Sequence, residues 1–181
     1  MHSSRELIVY IAMSLDGYIA GENDDLSFLN AVAAKGEDYG YQAFVDTVDT
    51  VLMGRKTYEV VKTLTDEFPR EGRRVYVITQ HQDFEDEQVT FISEALAPWM
   101  QKLKAETGKH IFCDGGAHTV QNLLRSHLID RFIISVIPVI LGKGTSLFAS
   151  SDKSYHLQLE KSESWPSGLV QLNYRVIYPQ G

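Results

Sequence analysis

Two stretches of this chain place glycine at the end of an apolar run and follow it with polar residues. They are Val51-Leu52-Met53-Gly54-Arg55-Lys56-Thr57-Tyr58-Glu59 and Cys113-Asp114-Gly115-Gly116-Ala117-His118-Thr119. Glycine has no Cβ, so the backbone at Gly115 and Gly116 can approach a ligand closely and take conformations closed to other residues. Where a helix begins just beyond, its free N–H groups and partial positive charge suit a phosphate or pyrophosphate. The first stretch adds Arg55 and Lys56, two cations that a helix N-terminus disfavours unless an anion is bound. An ordinary strand-to-helix turn and a solvated charged turn are the bland alternatives, because neither G-x-G-x-x-G nor a phosphate-loop lysine is present. Thr79-Gln80-His81, at the end of another apolar run, could hydrogen-bond an adenosine or its phosphate, although such residues are common after strands. Asp24 and Asp25 precede Leu26-Ser27-Phe28-Leu29, where either carboxylate is a favourable helix N-cap.

The elements that must position these groups follow from composition and periodicity. At 181 residues, 44% hydrophobic and 23% charged, the chain is an ordinary globular protein of one domain spanning residues 1–181. A net charge of −7 argues against a broad nucleic-acid or anionic-membrane surface, so any anion site must be local. The single cysteine, Cys113, excludes an intrachain disulfide, and the histidines show no zinc-like spacing, so no metal is expected. The apolar run near the N-terminus is too short to span a membrane and lacks the features of a signal peptide, which points to the cytoplasm. Strand-like runs (ELIVYIAMS, TVLMG, RRVYVIT, VTFI, KHIFC, DRFIISVIPVIL) alternate with helix-like ones (DDLSFLNAVAAK, YGYQAFVDTVD, RKTYEVVKTL, SEALAPWMQKLKA, AHTVQNLLRSH). Ser93 is a plausible N-cap for the fourth of these helices. Such alternation predicts an α/β sheet, mostly parallel, with helices on both faces. The tail, SYHLQLEKSESW and GLVQLNYRVIY around PSG, reads as an antiparallel hairpin at one sheet edge.

The ordered set IAMSLDGYIA, DLSFL, VLMGRKTYE, VYVIT, DGGAHTVQNLL and IDRFIISVIPVILGKGTSLF resembles the dihydrofolate reductase-like superfamily over nearly the whole chain. IPVILGKGTSLF is most similar to stand-alone proteins like the C-terminal reductase domain of the bifunctional riboflavin-biosynthesis deaminase-reductase. The resemblance implies NADPH as cofactor, lying across the carboxyl ends of the strands. Gly54 then ends a phosphate-facing strand, Arg55 grips the adenosine 2′-phosphate, and Lys56 and Thr57 hold the pyrophosphate. Thr79 and Gln80 flank the adenosine phosphate, and Gly115 and Gly116 form a pair joined by a cis peptide. Ala117, His118 and Thr119 open the phosphate-facing helix, while the backbone at Ala12 and Ile19 holds the nicotinamide carboxamide. On the substrate side Asp25 matches a carboxylate that orients a pterin-like ring and assists its protonation, and Ser135 a hydroxyl that hydrogen-bonds it. Helix capping by Asp25 and a buried, backbone-satisfied Ser135 are the alternatives. Hydride addition to a C=N bond leaves negative charge on nitrogen, so a positioned proton source accelerates it by about 10²- to 10⁴-fold.

Departures from the folate enzyme are also visible. Only a few residues separate DGYIA from DLSFL, so the loop over the nicotinamide is short and its tryptophan missing. Arg73 stands near the place of an arginine that binds the folate glutamate, yet a surface role is equally open. The expected activity is NADPH-dependent hydride transfer to a small heterocyclic or carbonyl substrate, with 5-amino-6-(5-phosphoribosylamino)uracil reductase activity among those the resemblance implies. The alternatives are a non-catalytic nucleotide- or pterin-binding protein of the same fold and an FMN or nucleoside-phosphate binder. A homodimer through the hairpin edge is expected as well, because exposed edge strands are usually covered or paired.

Overall fold

The computed structural model describes residues 5–64, 72–80, 85–148 and 153–179. Its centre is an eight-stranded sheet of order β5-β4-β3-β6-β1-β7-β10-β9. The strands are β1 (Leu7–Ser14), β3 (Val48–Gly54), β4 (Arg74–Ile78), β5 (Thr90–Ile92), β6 (His110–Gly115), β7 (Arg131–Ile137), β9 (His156–Ser164) and β10 (Val170–Ile177). A separate two-stranded piece pairs β2 (Tyr18–Ala20) with β8 (Thr145–Ser146). The strands from β5 to β7 are mutually parallel, whereas β10 runs antiparallel to β7 and to β9. The parallel strands are runs of branched apolar residues because both of their faces are covered.

Alternation along each strand sends side chains to two different cores. Leu7 and Val9 of β1, Leu52 of β3 and Ile111 and Cys113 of β6 face one side. There they pack with Met100 and Leu103 of α3 (Leu96–Ala105) and with Val120, Leu123 and Leu124 of α4 (Ala117–Arg125). Ile8, Val51, Met53, Val75, Val77 and Phe112 face the other side, under Phe44 and Val45 of α1 (Tyr41–Val45) and Tyr58 and Val61 of α2 (Arg55–Leu64). A third cluster sets Phe28 and Val32 against Ile137 and Leu169 on that same side.

Several local expectations are corrected. Residues 24–35 form no α-helix: two short 3₁₀ segments (Glu22–Asp24 and Ser27–Val32) stand there, interrupted where Asn23 and Asp24 take positive φ. The helix expected over residues 39–49 shrinks to α1, which begins after the left-handed Gly40 and is capped by Asp38 through the N–H groups of Gly40 and Gln42. Ser93 does not cap α3, whose N-cap residue is Ala95. β7 ends at Ile137 instead of running on to Leu141, because Pro138 has no N–H to continue the ladder. No helix among the described residues is long and apolar enough to cross a membrane.

Candidate active site

The parallel arrangement brings the carboxyl ends of β4, β3, β6, β1 and β7 to one edge of the sheet. From β3 the chain passes outward to β4 through α2, whereas from the adjacent β6 it passes the opposite way, beyond β1, to β7 through α4. The two helices accordingly lie on opposite faces. A crevice opens wherever neighbouring connections diverge like this, and ligands of open α/β sheets bind in it.

Both glycine stretches end here. Gly54 closes β3 and Arg55 opens α2, while Gly115 closes β6 and Ala117 opens α4. A Cβ on Gly54 would lie 2.4 Å from Thr119 Oγ1, so the first glycine is required by the close approach of α4 to β3. Gly115 has φ +105°, a conformation that side chains rarely adopt, and it turns the strand into the helix. The Gly115–Gly116 peptide is trans, contrary to expectation, and the positive φ at Gly115 accomplishes the reversal. The Gly116 N–H donates to Thr57 Oγ1 at 2.9 Å, which ties the starts of α2 and α4 into one cradle. No side chain caps α4. An uncapped helix start next to Arg55 and the exposed Lys56 has the donor set that a pyrophosphate requires, so these residues fit a phosphate-bearing cofactor. Arg55 Nη1 also meets Glu59 Oε1 at 2.6 Å, one turn along α2.

Other expected residues fall at the same edge. Thr79 is buried past the end of β4, its N–H donating to Ile92 O at 3.0 Å, and Gln80 beside it is exposed. His81 lies outside the described residues. His118 is exposed, with Nδ1 3.3 Å from Asn122 Nδ2. Ala12, near the end of β1, packs with the Phe28 cluster, whereas Ile19 in β2 packs against the core under α3 and α4. Asp16 fastens the rim: its carboxylate accepts from Ser14 Oγ (2.6 Å), Leu141 N (3.1 Å) and Gly142 N (2.7 Å), joining the loops that follow β1 and β7. Arg73 stands at the opposite, amino end of the sheet, before β4, where Nη2 donates to Val45 O at 3.2 Å.

Asp25 and Ser135 do not form the hydrogen bond expected between them. Asp25 accepts from the Ser27 hydroxyl at 2.7 Å and the Ser27 N–H at 3.0 Å, and these bonds, the hydroxyl first, hold its carboxyl below its ordinary value. Ser135 is buried and its hydroxyl accepts from Gln171 Nε2 at 3.2 Å. The same amide donates to Tyr10 OH at 3.0 Å.

The carboxylate that sequence reasoning passed over is Asp114. Strand alternation puts its side chain on the face of Phe112, whose ring lies 6.4 Å from that of Tyr10. Asp114 has no hydrogen bond or ion pair with a described residue, and burial alone pushes its carboxyl up to about 7. Cys113, on the other face, is fully buried and its thiol is pushed up to about 12 by that burial, so it is an inert core residue. The signal for Asp114 was present in HIFCDGG: an acid inside a strand covered on both faces is costly unless it has work to do.

The model of the RibD C-terminal domain family matches residues 5–171. The chain belongs to that family. It is 43% identical over 171 residues to the uncharacterized protein YwjB of Bacillus subtilis, covering 94% of this chain and 97% of that one. The crystal structure of a putative riboflavin biosynthesis protein from Shewanella sp. PV-4 superposes with a TM-score of 0.87 at 31% identity, covering 96% of this chain and 99% of that one. Enterococcus faecalis dihydrofolate reductase, solved with NADP(H), shares the fold at a TM-score of 0.65 and 16% identity over 94% of this chain and 96% of that one. The fold is therefore dihydrofolate reductase-like, and family and fold together support a reductase-type function.

Proposed function

We propose that this RibD C-terminal domain protein is an NADPH-dependent reductase that transfers hydride to a C=N or C=O group of a small substrate. The observation that carries the reading is the joined cradle of Gly116 and Thr57, with Arg55 and Lys56 on one helix start and, at the adjoining strand end, the Asp114 carboxylate, which pairs with none of the described residues. In this reading the first-turn N–H groups of α4 and the Lys56 and Thr57 side of α2 hold the pyrophosphate. Arg55 meets the 2′-phosphate. NADPH, when bound, supplies the hydride. Asp114, with its carboxyl near 7, is protonated in a large share of molecules at neutral pH, and in that form it delivers a proton to the substrate nitrogen or oxygen on which negative charge develops. Asp25, exposed and held ionised by Ser27, serves to orient the substrate at the rim. A homodimer through β9, all of whose residues are exposed, is part of the same proposal.

The test is thermal stabilisation by NADPH, NADH and FMN at matched concentrations. A ligand at a hundred times its Kd adds about 2.7 kcal/mol. NADPH should stabilise most, beating NADH by about ten- to a hundred-fold in Kd through a charge-assisted contact. Arg55→Ala should erase most of that preference. Stabilisation by FMN above that by NADPH, or an unchanged preference in the variant, overturns the proposal.

A further inference from the structure

A cavity of about 270 Å³ lies between the C-terminal half of α4, Phe132 of β7 and Leu157 of β9. Its apolar walls follow from the sequence. Leu124 is on the buried stripe of α4, while Phe132 is on the face of β7 that packs into the same core. Leu157 pairs with Val176 of β10, which joins that core as well. Phe148 closes the side, its ring edge-on to that of Phe132 at 5.8 Å and its residue 42% exposed. The phosphate cradle is built at the first residues of α4, from Gly116 and Thr57, whereas the cavity uses Gln121, Leu124 and Arg125 at the other end of the helix. The two places share an element and no residue.

We infer that this cavity is a second binding site and that it takes a small aromatic carboxylate. An apolar cavity of about 150 Å³ is enough to hold benzene, so the volume here has room for a ring and its substituent. The aromatic walls favour a ring, which Phe132 and Phe148 can meet edge-on as they meet each other. Charge selects what the ring carries. Both charged residues that line the cavity, Arg125 and Lys153, are cations, and no carboxylate of a described residue lines it, in a chain of net charge −7. Arg125 has no ion pair with a described residue, and its one polar contact among them is long, Nη1 to Asn122 Oδ1 at 3.5 Å. A carboxylate gives such a guanidinium the charge-assisted partner it lacks. Tyr155 also lines the cavity, and its hydroxyl is buried with no hydrogen-bond partner among the described residues. Gln121, by contrast, already donates its amide to Leu147 O at 3.1 Å. A buried polar group left over in this way marks a place where something is still to bind.

The experiment titrates the full chain with benzoate, benzamide and inorganic phosphate, reading methyl resonances by NMR and affinity by calorimetry at low and high salt. Benzoate should shift the methyl signals of Leu124 and Leu157 and leave those of Val75 and Val77, on the other side of the sheet, in place. It should bind about threefold or more tightly than benzamide at low salt, and the gap should close at high salt, because the two cations are exposed. Arg125→Gln should remove most of that gap. Leu157→Trp, at a position 39% exposed, fills the cavity and should abolish binding while the unfolding midpoint stays the same. Benzamide binding as tightly as benzoate, phosphate alone reproducing the shifts, unaltered binding in both variants, or unmoved Leu124 and Leu157 methyls at millimolar benzoate overturns the inference. Binding by Leu159→Lys and not by the parent overturns it too, since a second copy of the chain would then cover the cavity. None of these readouts depends on NADPH, so their failure leaves the reductase reading standing.

Discussion

At the scale of single residues, the raised carboxyl of Asp114 links the proposed proton donation to stability. Its carboxyl is raised from 3.8 to about 7 in the folded chain, so the folded state binds a proton that the unfolded state has released between those values. The contribution of Asp114 to stability is therefore full below about pH 4 and is lost as pH rises through 7. Asp114→Asn should make the protein more stable than the parent at pH 8 and leave it unchanged near pH 4, measured by urea unfolding at both values. The same variant should lose about 10²- to 10⁴-fold in turnover, and parental turnover should fall as pH rises past about 7. A variant that loses stability at pH 8 while keeping turnover contradicts both parts. That Gly54 and Gly115 end strands and that helices start just beyond them was legible, because each closes an apolar run followed by helix-like spacing. The Asp25–Ser135 bond was not, because whether two distant side chains meet depends on loop path, and Ser27 lies within easier reach of Asp25.

At the scale of elements, the cradle depends on how closely β3 approaches α4. Gly54→Ala would set a Cβ 2.4 Å from Thr119 Oγ1, a contact that must be relieved by moving the helix or strand end. The expected loss is about 1–3 kcal/mol, as for other overpacked sites. Thr119→Ala in the same chain removes the clashing hydroxyl and should recover a large part of it, because neighbouring sites are not additive. Urea unfolding of the two single variants and the double variant reads the coupling, and a coupling near zero would show that the Thr119 hydroxyl is not what the Gly54→Ala methyl meets. Most elements were legible. The buried strands are apolar throughout, and α4 carries Val120, Leu123 and Leu124 at helical spacing. Residues 24–35 and the ends of 39–49 were misread because their apolar residues have helix-like spacing while the backbone turns at Asn23, Asp24, Tyr39 and Gly40, all with positive φ, so that only Tyr41–Val45 is α-helical. The β2–β8 pair escaped notice because three- and two-residue strands carry no periodicity.

At the scale of the whole molecule, the order of strands decides where the site lies. Alternation of strands and helices announced a parallel sheet, but only the placement of β6 between β3 and β1 creates the crevice, and local sequence does not encode that order. The opposite edge carries the proposed dimer contact. β9 is exposed along its length, with Leu157 and Leu159 at 39% and 52% exposure on its apolar side. Long, exposed edge strands pair readily with another chain. Leu159→Lys should shift the protein to monomer in light scattering without lowering its unfolding midpoint; a parent that is already monomeric removes the dimer from the proposal.

The Asp16 clasp gives this architecture a division of labour. By fixing the loops after β1 and β7 to each other through a carboxylate held at about pKa 2, it makes a frame that stays fastened throughout the neutral range and loosens only in strong acid. Residues 22–38 lie beyond that frame, so substitutions among them should leave the ends of β1 and β7 in place.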